Sequence, residues 1–551
     1  MSKRILNAVG GRPGRRATQA IFMLVLLFAL GCRQSDSGAK KVFFYNEQSG
    51  IASLDPAFAK NQSIIWAVHQ LYNTLVETDT AMHLSPSLAM RWDISTDKKT
   101  YTFHLRNDVY FHDNPVFPGG KGRLMTAGDI VYSFSRITNP ATASSGAWIF
   151  NGHIDTAEAF KALDDTTFVL QLQQPFNPIL GILSMQYCSI VPHEVVEKYG
   201  KDFRRHPCGT GPFMFKDWEE GLALTMVKND HYFQRDQQGR RLPYLDAVKI
   251  SFLDSKAAEF LNFRQGKLDF INDIDASFKD EILTKNGDLK KDWTGKVLLQ
   301  KHAFLTTEYL GILFDTSNSL LADSPLRFKK VRQAINYAID KPKMMRYLRN
   351  SIGFPATSGF SPQGLPSFDT AVKGYDYKPE KARQLLKEAG FANGKNLPQI
   401  KLLTVPVYAD LGSYIASQLA ELGIPVQVEV IQKSLLLEQT SKSQALFFRG
   451  SWMADYPDAE NFFSVFYSKN PAPPNYTRYK NPAFDVLYEQ ALATTNDSIR
   501  NKLYNRMDEQ IIEDAPVVPL WYDMVIHLVQ PSIKGFYPNS LNTLELRWVE
   551  K

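Results

Sequence analysis

Between residue 42 and the C-terminus this chain has no long Pro-, Gly- or Ser-rich linker, although its 551 residues are too many for one hydrophobic core. A chain of this length without a linker is expected to build two lobes and to cross between them on short strands, which then act as a hinge. Strand and helix signals alternate along most of it. Tyr101, Phe103 and Leu105 alternate with Thr102, His104 and Arg106, as in a half-buried strand. Phe168, Leu170 and Leu172 repeat the pattern, and so do Ile424, Val426, Val428 and Val430. Phe328, Val331, Ile335 and Ala338 have helical spacing. A further helix is predicted to open at Pro379, bury Ala382, Leu385, Leu386 and Ala389, and stop at Gly390. Helix, strand, helix and strand follow one another from 380 to 431, which implies α/β layering rather than a sandwich.

The N-terminus has a different character. Lys3, Arg4, Arg12, Arg15 and Arg16 precede an apolar run from Ile21 to Leu30, then Gly31 and Cys32. That run is about half the ~20 residues a membrane helix needs, but it suits the core of a signal peptide. We therefore read 1–31 as a secretory signal, exported by the Sec route, and Cys32 as the residue that is lipidated after cleavage. Residues 32–41 are polar and form a tether. Five of the six net positive charges lie in 1–31, which leaves the remainder at +1. So nearly neutral a body has no electrostatic reason to seek nucleic acid or an anionic lipid surface. Export also places Cys188 and Cys208 in an oxidising compartment. A disulfide between them is expected, the alternative being two buried thiols.

Catalytic signatures are missing. There is no Gly-x-Ser-x-Gly elbow and no Walker loop, and the Gly119–Gly122 segment reads as a turn. His193-Glu194-Val195-Val196-Glu197 lacks the second histidine of a zinc-protease helix and is expected to be a plain helix after Pro192. No metal site or cofactor is expected.

A series of segments instead resembles the extracytoplasmic peptide/nickel-binding proteins, solute-binding protein family 5. They are Ser53–Ala57, Leu71–Glu77, Leu84–Asp93, Thr100–Arg106, Val109–Asp113, Thr126–Phe134, Gly209–Phe213, Val331–Ile339, Trp452–Asp458 and Ala515–Tyr522. The likeness runs in order from about residue 42 to 530. It implies a bilobed α/β periplasmic-binding-protein-like type II fold with an extra N-terminal subdomain. Lobe I would span 42–310 with the subdomain inserted at about 76–205, lobe II would span 311–514, and 515–551 would return to lobe I. The crossings would fall near 305–315 and 514–520.

The resemblance also implies a function: substrate-binding protein of an ABC importer, catching peptides between closing lobes and delivering them to permease subunits in the inner membrane. The protein would be a monomer, held on the periplasmic side of the envelope by its lipid alone. Other solutes (nickel chelate, haem, oligosaccharide) and a sensing role remain alternatives. In peptide-binding members the Asp matching Asp455 pairs with the ligand's ammonium. The Arg matching Arg449 can take its carboxylate, and the backbone around Ser451 and Met453, beside Trp452, bonds its main chain. Lys60, Asn61 and Gln62 would line the cleft. So would Trp521 and Asp523, the latter as a second carboxylate favouring a cationic group.

Overall fold

The computed structural model describes residues 40–551, so Cys32 and the apolar run before it lie outside the described residues. Val42–Lys551 is organised around one mixed eleven-stranded sheet. Its middle is made by two long strands, Leu298–Ile312 and Val517–Val529, paired antiparallel along most of their length. On one side follow Phe447–Met453, Ile400–Thr404 and Val426–Val430. On the other come Phe270–Asn272, Val42–Asn46, Ala247–Ser251, Ala223–Lys228 and Phe213–Glu219. The two long strands thus run through both halves. Their register shifts between the Ala303 and Thr307 pairs and again between Glu308 and Tyr309. Such bulges bend a ladder and increase its twist, so the change of direction between the halves falls there.

Each half buries its own apolar side chains. One core collects Phe43, Leu71, Phe103, Phe134, Val248 and Ile250, and the other Ile312, Ile335, Leu386, Leu402, Ile415 and Phe447. In the second half the observed order is Pro379–Glu388, Ile400–Thr404, Ala409–Ala420 and Val426–Val430. The helix–strand alternation read from periodicity is therefore present. The last strand starts at Val426; Ile424 lies in the connection but is still fully buried. The helix from Pro379 ends as read, with Gly390 just past it at φ +92°, a conformation that favours glycine.

A second, four-stranded antiparallel sheet is inserted in the first half, in the order Ala89–Ile94, Thr100–Leu105, Thr167–Gln171, Phe160–Asp164. The helix Ala127–Thr138 packs on it. It starts with a capping box in which Asp129 accepts from the Thr126 N–H at 2.8 Å. This insert also touches the second half: Lys98 Nζ donates to the Ala493 carbonyl at 2.7 Å and the Asn177 N–H to that of Leu492 at 3.0 Å. Both carbonyls lie at the C-terminal end of the helix Pro482–Leu492, where a cation and N–H donors are favoured.

Cys188 and Cys208 do not form the expected disulfide; both are free, buried thiols. They pack in the first core, and Cys208 Sγ donates to the His112 carbonyl at 3.5 Å. Burial pushes both thiols up, so neither offers the thiolate that disulfide exchange requires.

Candidate functional site

The strand Phe447–Met453 has two unlike edges. One pairs antiparallel with Thr306–Ile312 over its whole length. The other meets the parallel strand Ile400–Thr404 only at Phe447 and Phe448. Because the Ala454 N–H bonds the Leu305 carbonyl at 2.8 Å, alternation turns the backbone groups of Trp452 and Gly450 the same way. Those of Ser451 and Met453 then point to the opposite edge, which no strand covers among the described residues. The strand stops before Pro457, which has no N–H to continue a ladder.

Beyond it the chain is pinned by a polar network. Asp458 Oδ1 accepts from the Glu460 N–H at 2.9 Å and from Tyr504 Oη at 2.7 Å, and its other oxygen pairs with Arg500 at 2.9 Å. Asn461 Oδ1 accepts from Trp452 Nε1 at 3.0 Å and from the Asp455 N–H at 3.4 Å. Glu460 receives the hydroxyls of Tyr456 and Tyr488, and burial pushes it up to about 7. Asp455 thus sits on a loop fastened by these hydrogen bonds. Its surface is open to water, yet the walls of the cleft around it raise its pKa, with the Asn461 hydrogen bond acting against them. No cation pairs with it among the described residues.

Asp455 faces a cavity of about 1650 Å³ bounded by both halves. Ligand pockets for drug-sized molecules are typically ~300–1,000 Å³, so this one has room for an extended or bulky solute. Trp452, Met453, Asn61, Gln62 and Asp523 line it with Asp455. Asn61 caps the helix Gln62–Leu71 through the Ile64 N–H at 3.2 Å, and Gln62 accepts from Asn272 Nδ2 at 3.2 Å.

Two expected ligand contacts are corrected. Arg449 does not line the cavity: it is ion-paired with Glu308 and lies 3.8 Å over the ring of Tyr408. Burial, aided by the Asp523 charge, pushes Glu308 up to about 7 in spite of Arg449. Trp521 is 1 % exposed and belongs to the second core, because its side chain turns inward from the long strand. Ser451 is exposed and absent from the cavity lining, but its backbone belongs to the open strand edge beside Met453, which does line it. Asp523 does line it, but as the partner of Arg349 at 3.1 Å rather than as a free carboxylate.

A further polar group at the first-half wall escaped the sequence reading. Arg547 bonds Glu77 at 2.9 and 3.1 Å and Glu545 at 3.0 Å, and Glu545 accepts from His69 at 3.1 Å. Burial alone would raise Glu545, but Arg547 and His69 outweigh it and hold it at about 2. Glu77 closes one of the family-like segments; Arg547, four residues before Lys551, has no local signal at all.

A two-halved α/β body joined by two long strands, with a large cavity between the halves, defines a bilobed binding protein. The family model for bacterial extracellular solute-binding proteins, family 5 Middle, matches residues 83–474, and the chain belongs to that family of solute-binding proteins. It is 28% identical to Heme-binding protein A of Haemophilus influenzae over 526 residues, covering 91% of each chain. It is 26% identical over 518 residues to the periplasmic oligopeptide-binding protein OppA of Salmonella typhimurium, covering 90% of each. Its fold is similar to that of HbpA2 from Haemophilus parasuis, with a TM-score of 0.81 at 23% identity, covering 93% of this chain and 99% of that one.

Proposed function

We propose that the protein is the peptide receptor of an ABC importer. The observation that carries this is Asp455, a carboxylate on a hydrogen-bonded loop, without a cation among the described residues, directly after an open strand edge. An extended peptide can add to that edge through its main chain while its ammonium meets Asp455. The name of the Salmonella relative points the same way. Closure of the halves around the solute, pivoting on the two bent strands, would hold it for delivery to membrane permease subunits. We read Cys32 as the lipid-bearing residue that keeps a monomeric receptor at the membrane.

Calorimetry with free and N-acetylated peptides tests the reading. Asp455→Ala weakens a free peptide by about 2–5 kcal/mol, roughly 30- to 4,000-fold, because the bound ammonium is left without its partner. The acetylated peptide binds weakly to both proteins and changes little. Equal weakening of both peptides would make Asp455 structural. A larger non-peptide solute is the second reading, favoured by the size of the cavity and by the name of the Haemophilus relative. Haem added to the purified protein would then shift its absorption spectrum while peptide pools give no heat.

A further inference from the structure

The charged side chains around the cavity are almost all used by one another. Arg547 is shared by Glu77 and Glu545, and Glu545 also holds His69. Arg349 holds Asp523 at 3.1 Å, and Lys279 stands 3.8 Å from Asp273. Glu460 is occupied by two tyrosine hydroxyls. Asp79 accepts from the N–H groups of Ala81 and His83 in its own turn, each at 2.8 Å, and from the His83 ring at 3.4 Å. His153 stacks on Phe176, ring centroids 3.8 Å apart, and burial lowers it to about 4, so it is neutral near pH 7. Apart from Glu460, which the two hydroxyls occupy, two charges of the lining are left without a charged partner among the described residues: Asp455 in the second half and Lys60 in the first.

Lys60 is held where it is by its turn. Asp55 accepts from the Ala57 N–H at 3.0 Å and is gripped by Arg136 at 2.7 and 2.5 Å, and the Lys60 N–H closes back on the Phe58 carbonyl at 2.8 Å. The side chain itself is exposed at the cavity. Arg449, the cation that the family resemblance assigns to a ligand carboxylate, is spent on Glu308 and does not line the cavity.

Building on the peptide reading, we propose that Lys60 receives a ligand carboxylate, the C-terminal one, while Asp455 holds the ammonium. The two unpaired charges then match a zwitterion, and they stand on opposite halves. A ligand bridging them interacts better with the closed arrangement than with the open one, which is what a closure-driving ligand must do.

The test uses randomised peptide pools two to five residues long, made as free acids and as C-terminal amides. Retention by wild type, Lys60→Met, Lys60→Arg and Lys279→Met is read by native mass spectrometry, with calorimetry on the species retained. Wild type should favour acids over amides. Lys60→Met should weaken acids about tenfold and leave amides within a factor of two, while Lys60→Arg and Lys279→Met keep the preference. Because Lys60 is exposed, both Lys60 variants should keep the wild-type melting temperature. Equal binding of acids and amides by wild type overturns this inference and leaves the peptide reading standing. So does a preference that survives Lys60→Met or vanishes in Lys279→Met. Binding of neither pool overturns both.

Discussion

Two charged groups on facing walls of the cavity behave in opposite ways. On the first-half wall, Arg547, Glu77, Glu545 and His69 neutralise one another within about 3 Å, and Glu545 is held far below an ordinary carboxylate. On the second-half wall, Asp455 is alone and its pKa is raised. A paired network stabilises the fold and has nothing left for a visitor. A lone carboxylate is a cost to the empty protein that an incoming ammonium relieves. The contrast separates charges that build the cleft from charges that read its contents.

Breaking the first wall should have the largest effect. Arg547→Met strands two carboxylates in the wall and should lower unfolding free energy by about 3–5 kcal/mol, measured by denaturant titration. The matched change on the other wall, Asp455→Asn, should leave the melting temperature at pH 7 equal or higher without ligand. The sign follows from the raised pKa: ionising Asp455 is harder folded than unfolded, so deleting the charge removes a cost. Comparable destabilisation by both substitutions would erase the distinction.

An intermediate effect is expected at Glu460, beneath the Asp455 loop. Its folded pKa of about 7 exceeds the ordinary value of 4.5. The stability it contributes is therefore complete below pH 4.5 and is lost as pH rises through 7. The difference in stability between wild type and Glu460→Gln should fall by on the order of 3 kcal/mol across that window. The buried histidines lowered to about 4 (His112, His153 and His527) titrate alike in both proteins and cancel. A flat difference would place the proton elsewhere in the network.

The smallest effect concerns the thiols. With Cys188 and Cys208 free, reductant should leave the melting temperature unchanged and denatured, unreduced protein should titrate both. A drop of several degrees in reductant would restore the disulfide.

Much of this could be read in advance because it is local. Alternation at Tyr101, Phe103 and Leu105 and helical spacing at Val331, Ile335 and Ala338 depend on neighbours along the chain, so the elements they predict are present. Asp455 and Trp452 were pointed to by the family resemblance of the segment that carries them, and both line the cavity. Trp521, which the resemblance also placed at the cleft, is buried in the second core, whereas Asp523 two positions on lines the cavity.

What the sequence determined by itself is the class: α/β halves without a linker and a chain order shared with a family of binding proteins. What only the tertiary structure decided is which charges are free. Arg449 and Glu308 lie 141 residues apart, Arg349 and Asp523 174, and Arg547 and Glu77 470. Ion pairing depends on distance in space, and no spacing along the chain encodes it. That is why Arg449 reads as a ligand clamp in one dimension and as part of the frame in three.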